Sequence, residues 1–208
     1  MRSFHELSSA HTVVLVEGNS DRLALGALAR RRERDLDAEG VSVVAMGGAQ
    51  AIGAFLDELG PHGHGLQLAG LCDAAEESHF RRALGRAGLG SNLTRSRMEA
   101  LGFYVCVADL EDELIRSLGT AAVEEVFEAQ GDLGPFRTFQ KQPAWQGRPV
   151  EEQLRRFIGT RSGRKIESAA LLVDALDLAR VPRPLEGVLA HVRPTGPRDH
   201  REQRPGGP

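Results

Sequence analysis

Short apolar runs alternate with helical patterns through the first 120 residues. TVVLVEG (12–18), VSVVAMGG (41–48), LQLAGLCD (66–73) and FYVCVAD (103–109) are rich in aliphatic and β-branched side chains and too brief for core helices, so they predict four strands. Between and after them, apolar positions recur every three or four residues. That spacing predicts helices over 20–34, about 49–59, about 76–87 and 110–119, the first capped by Asn19 or Ser20 and the last ended by Gly119. Residues 61–65 read as a loop and 86–97 as a Gly- and Ser-containing connection. Strands apolar on both faces and separated by helices imply a parallel sheet covered on both sides. Open sheets of that kind carry their sites at the carboxyl ends of the strands.

Beyond residue 120 the pattern is helical, over 121–131, 150–159, 165–179 and a short final stretch at 181–192. Residues 134–149 read as an irregular segment in which Phe136, Arg137, Phe139, Lys141 and Trp145 interleave aromatic and basic side chains. Such a segment can hold nucleic acid or can simply be pinned to the core by its rings. Residues 193–208 are rich in Pro, Gly and Arg without apolar periodicity, and predict a disordered tail. The expected organisation is an α/β core over 10–120, a helical extension over 121–192, and the tail.

The bulk numbers refine this picture modestly. The chain has 208 residues, 41% hydrophobic, with a formal net charge of −3. A protein that coats DNA through many phosphate contacts would be basic, so bulk electrostatics is not how this chain would hold nucleic acid. No apolar run is long enough to cross a bilayer and the first residues lack a leader's apolar core, so no membrane partner and a cytoplasmic location are expected. Cys72 and Cys106 lie in strand-like runs and read as buried reduced thiols. Basic residues are 24 arginines against two lysines, Lys141 and Lys165. In so arginine-rich a chain, a lysine marks a place where a compact ammonium serves better than a planar guanidinium.

Acidic residues collect at the strand ends. Glu17 ends the first predicted strand, with Asp21 one turn into the next helix; Asp73 ends the third; Asp109 ends the fourth, with Glu111 two residues on. Five carboxylates on one sheet edge repel one another, and a divalent cation such as Mg²⁺ or Mn²⁺ relieves that repulsion through hard oxygen ligands. The competing account for each residue singly is helix capping. Asp112 and Glu113 read as a solvated first helical turn. Gly47-Gly48, at the end of the second strand, is either a tight turn or a close approach to a phosphate. Arg161, Arg164 and Lys165 gather at a predicted helix start, where cations oppose the helix dipole unless an anion such as phosphate joins them. A solvated basic turn is the other reading.

VLVEGNSD (14–21), VAMGG (44–48), LAGLCDAAEE (68–77) and VADLEDELI (107–115), in that order and spacing, resemble the Toprim fold. GRKIESAALLVDAL (163–176) is similar to the lysine-bearing helix start that follows Toprim in the OLD (overcoming-lysogenization-defect) nucleases. The resemblance implies a Rossmann-like parallel sheet and a metal-dependent endonuclease acting on DNA rather than RNA. It implies that Glu17, Asp21, Asp73 and Glu111 bind metal and that Glu17 and Lys165 are catalytic, Lys165 meeting the phosphate; Asp109 is expected to assist as a fifth carboxylate on the metal. The remaining nucleic-acid contacts expected are Gly47, Gly48, Arg161, Arg164 and Lys141. The sequence departs from the family pattern at Ala75, where the second aspartate of Asp-x-Asp belongs, leaving Glu76 or Glu77 to reach in, and at Asp109, where a small hydroxyl residue is expected. These changes put a two-metal reaction in question and keep open a module that binds nucleic acid or a partner ATPase without catalysis. OLD proteins join Toprim to an ATPase, and no G-x-x-x-x-G-K-[ST] occurs here. The expectation is a stand-alone module or one with a separate ATPase partner, its self-association open.

Overall fold

The computed structural model describes residues 10–160 and 162–192. The expected disordered tail and Arg161 lie outside the described residues. Strand β1 (Thr12–Val16) leads to helix α1 (Asn19–Arg31), and β2 (Val41–Ala45) leads through a 3-10 turn to α2 (Ile52–Leu59). Strand β3 (Gln67–Cys72) is followed by a second 3-10 turn, α3 (Glu77–Arg86) and α4 (Arg95–Ala100). Strand β4 (Phe103–Val105) precedes α5 (Leu110–Leu118), α6 (Thr120–Gln130), α7 (Leu133–Gln140), α8 (Val150–Ile158), α9 (Ser162–Ala175) and α10 (Arg183–His191). The sheet is parallel in the order β2-β1-β3-β4, with Val16 level with Ala45 and Leu71. No helix of the described residues is long and apolar enough to cross a membrane.

β1 is buried along its whole length because both faces are covered. Val14 and Val16 face a core shared with α1, α5 to α10, and Val13 and Leu15 face one built from α2, α3 and α4. The period-two alternation of a strand distributes one apolar run between two cores. The helices after residue 120 bury Phe127, Phe136, Leu172 and Leu185 in the first of these cores. α9 lies along α1, and α10 packs beneath β3 and β4. Arginines at the end of α1 fix this arrangement. Arg31 donates to the carbonyl of Val173, Arg32 to Leu178, and Arg34 to Val192, so cations meet helix carbonyl ends.

Four expectations need correction. The fourth strand stops at Val105 rather than reaching Asp109. Cys106 still donates to the Cys72 carbonyl, but the Val107 amide then donates to the Glu113 carboxylate at 2.7 Å and the chain leaves the sheet. Glu113 is thereby buried rather than solvated. Residues 134–149 are not wholly irregular, since α7 occupies Leu133–Gln140. Pro135 is tolerated in its first turn, where amides lack partners, and Phe136 and Phe139 insert against Phe127 and Phe157. The connection after α3 contains α4, whose first turn is capped by the Thr94 hydroxyl accepting from the Arg97 amide. Cys72 and Cys106 are free and buried.

Candidate functional site

The register places the ends of β1 and β3 side by side, so Glu17 and Asp73, each the first residue past its strand, share one sheet edge. Gly18 caps α1, and its amide donates to Asp21 Oδ2 at 2.8 Å, which turns the Asp21 carboxylate back toward the strand end. Asp21 and Glu111 are buried, at 8% and 5% exposure. Lys165, from the start of α9, places its ammonium 3.1 Å from Glu111 Oε2. Opposite-charge contact across α5 and α9 is what draws a lysine into an acidic pocket.

Glu17, Asp21, Asp73 and Glu111 each feel a neighbouring carboxylate. Burial raises the pKa of Asp73 to about 7, with the charges of Asp21 and Asp109 adding to it. Glu17 is raised by burial, then by Asp21 and Glu76, with Lys165 opposing. Burial likewise raises Asp21 and Glu111; the Gly18 amide opposes it at Asp21, and Lys165 opposes it at both. For Lys165 burial alone would lower the pKa, but Glu111, Asp21 and Asp73 together hold it above the ordinary lysine value. Glu17, Asp21, Asp73, Asp109 and Glu111 thus stand in one electrostatic neighbourhood.

The residues flanking Ala75 divide. Glu77 turns to the surface, where its Oε2 lies 2.7 Å from Arg95 and its Oε1 meets Arg81. Glu76 is the one whose charge reaches Glu17. Asp109 is committed elsewhere: Oδ1 accepts from the Asp112 amide as the cap of α5, and Oδ2 lies 2.6 Å from Arg155 of α8. Arg155 was not legible as a site residue in the sequence, being one of many arginines on a helix face.

Several expected phosphate contacts are used inside the fold. The amides of Gly47 and Gly48 both donate to the Glu17 carbonyl at 3.1 Å, so they anchor Glu17 rather than a phosphate. Gly48, at φ 129° and ψ 148°, occupies a region that only glycine enters readily. Arg164 is also a correction. Its guanidinium grips Asp132 through Nε at 2.9 Å and Nη2 at 3.1 Å, donates from Nη1 to Thr160 and the Phe157 carbonyl, and lies 3.9 Å over the Phe157 ring. A guanidinium so engaged has little left for a phosphate. Arg164→Ala is expected to destabilise the fold by about 3 kcal/mol in chemical denaturation, because it strips a buried pair and an aromatic contact; a variant as stable as the parent would refute this assignment. Lys141 is exposed at the end of α7, apart from the groove beside Lys165.

Among the described residues, no three His, Cys, Asp or Glu side chains are grouped as a ready ligand sphere. The donor chemistry nevertheless suits a hard cation. Glu17 Oε2 and Glu111 Oε1 are buried without any hydrogen-bond partner, a costly condition for carboxylate oxygens. Raised carboxylate pKa values on the same edge mark the same deficit of positive charge. Glu17 and Glu111, each with an orphaned oxygen, and Asp73, whose charge is disfavoured by burial, have the donor chemistry of residues that would hold a divalent ion.

Residues 10–74 match the family model of the overcoming lysogenization defect protein-like TOPRIM domain. Among solved structures, the C-terminal region of the Xanthomonas campestris pv. campestris OLD protein is similar, with a TM-score of 0.67 at 23% identity over 88% of this chain and 94% of that one. The C-terminal region of the Burkholderia pseudomallei OLD protein has a TM-score of 0.69 at 20% identity, over 88% and 97%. No curated protein matches. At such identities the structural likeness is one of fold, and it extends over the helices beyond residue 120 as well as the sheet. Residues 10–74 therefore resemble an OLD-like Toprim domain in sequence, and the sheet with its flanking helices has the fold of the C-terminal regions of OLD proteins.

Proposed function

We propose that this chain cleaves phosphodiester bonds of nucleic acid, DNA in preference to RNA, in a reaction that depends on Mg²⁺ or Mn²⁺. The observation that supports this reading is the Lys165 ammonium, paired with Glu111 and felt by Glu17, Asp21 and Asp73, beside the adjacent strand ends that carry Glu17 and Asp73. A divalent ion bound there supplies positive charge to a phosphoryl group and orients it. Glu17, Asp73 and Glu111 present the oxygens for that ion, and Asp21 fixes the turn that delivers Glu17. Lys165, oriented by Glu111, offers its remaining N–H donors to a non-bridging phosphate oxygen, where charge grows as the bond to the leaving oxygen lengthens.

A second reading, a module that binds nucleic acid or an ATPase without catalysis, is favoured by Ala75 and by the Arg155 contact that occupies Asp109. Cleavage of plasmid DNA separates the two. Conversion to nicked and linear forms is expected with Mg²⁺ or Mn²⁺ and should cease in EDTA. Cleavage that persists in EDTA, or none with any divalent ion, would exclude the metal-dependent nuclease.

A further inference from the structure

A groove of about 470 Å³ opens beside the carboxylate cluster, between α5 and α8. It shares Glu111 and Lys165 with that cluster and continues past Asp109, Arg155 and Arg156 to Trp145. We propose that this groove binds one nucleotide of the strand, with Arg155 and Arg156 on its phosphate and Trp145 against its base. The inference rests on the nuclease reading for its substrate class and adds where, and by which side chains, the strand is held.

The charges in the groove are not equivalent. Glu111 is tied to Lys165 and Asp109 to Arg155, so those acids are neutralised within the fold. Glu152 is exposed and lies 3.6 Å from Arg148. Arg156 is exposed and has no ion-pair partner among the described residues. Acids and bases of the lining balance, and with Glu152 turned to Arg148 outside the lining the member left unpaired is the Arg156 cation. Arg155 adds direction. Its Nε and Nη2 hold Asp109, which fixes the guanidinium plane and leaves further N–H donors on a side chain that is 45% exposed. A guanidinium oriented in this way meets a phosphate with little further loss of rotamer freedom.

Trp145 supplies the other half of nucleotide recognition. Its indole is stacked on Phe139 at 5.1 Å between centroids, the exposed Arg148 guanidinium lies 5.5 Å from its ring where a base would displace it, and its carbonyl accepts from the Gln153 side chain. Phe139 is in turn packed on Phe157 of α8. An aromatic wall braced by the core, with cations along the same groove, is the pairing that strand-binding proteins use for base and backbone. The volume lies within the range of small-molecule pockets and suits a single nucleotide.

Trp145 is the chain's one tryptophan, so its emission reports on this groove alone. The test titrates a short single-stranded oligodeoxynucleotide, labelled for anisotropy, into the full chain in Ca²⁺, with the strand checked for integrity afterwards. The expected result is a change in Trp145 emission that saturates together with the anisotropy. Arg156→Ala should weaken binding about tenfold and lower the slope of log affinity against log salt by about 0.7, one single-strand phosphate contact. Binding that leaves Trp145 emission unchanged would overturn the proposal, as would no binding, or an Arg156→Ala protein with the parent's affinity and salt slope. Because binding is read apart from cleavage, a chain that binds here but does not cut would sink the nuclease reading and leave this groove standing.

Discussion

Glu17→Gln should lower Mg²⁺-dependent plasmid cleavage by about 10²–10³-fold, the usual scale for losing one preorganised electrostatic contact to the transition state. The same change should leave the metal-free protein no less stable than the parent. Glu17 Oε2 is buried without a partner, and burial, Asp21 and Glu76 all disfavour its charge. Glutamine keeps the shape and removes the charge. Opposite signs for activity and stability distinguish a ligand held under strain from a residue that merely supports the fold. Cleavage at the parent's rate by Glu17→Gln would remove Glu17 from the reaction.

Asp73 gives this strain a pH dependence. Its carboxyl titrates near 7 in the fold, against 3.8 for an unperturbed aspartate. Below pH 4 both folded and unfolded chains hold the proton, and Asp73 contributes nothing. Between pH 4 and 7 the unfolded chain releases it first, so stability falls as pH rises. Above pH 7 the penalty is complete and constant. Asp73→Asn should therefore gain in melting temperature over the parent as pH climbs from 4 to 8 in EDTA, and Mg²⁺ or Mn²⁺ should narrow the gap by pairing the parent's carboxylate. A gap of constant size across that range would show that Asp73 is not buried among like charges.

Lys165→Ala is expected to have the second large effect, on both activity and folding. Cleavage should fall by about 10²-fold or more through loss of the phosphate contact. Stability near pH 8 should fall by about 2 kcal/mol, because Glu111 is left buried with no counter-ion; this is discounted from the full cost of breaking a buried pair since Lys165 is 37% exposed. The stability loss should fade at low pH, where Glu111 takes up a proton. Adding Glu111→Gln to Lys165→Ala should restore most of the stability and none of the cleavage. Lys165→Arg should keep the fold while cutting slowly, since a planar guanidinium does not replace a compact ammonium at one oxygen. Full activity in Lys165→Ala would assign the lysine to packing alone.

The sheet, most of the helices and the positions of Glu17 and Asp73 at adjacent strand ends were legible in the sequence because they depend on local periodicity. Four apolar runs in a chain that alternates with helices leave few ways to be buried, and residues just past each strand must lie on one edge. Lys165 stood out by rarity, and its salt bridge to Glu111 places it in the pocket. What periodicity could not say is which polar groups satisfy one another. Arg164 has the same composition signal as Arg156, yet one is buried on Asp132 and the other stands exposed in a groove. Gly47-Gly48 allowed either a tight turn or a phosphate contact, and Glu17, 30 residues earlier, takes both amides. Arg155 meets Asp109 across 46 residues of chain. Sequence thus determined where backbone and apolar side chains go, since burial is a property of each residue and its near neighbours. Tertiary structure alone decided the pairing of charges and amides, since a hydrogen bond or ion pair depends on a few ångströms between segments that no local pattern relates.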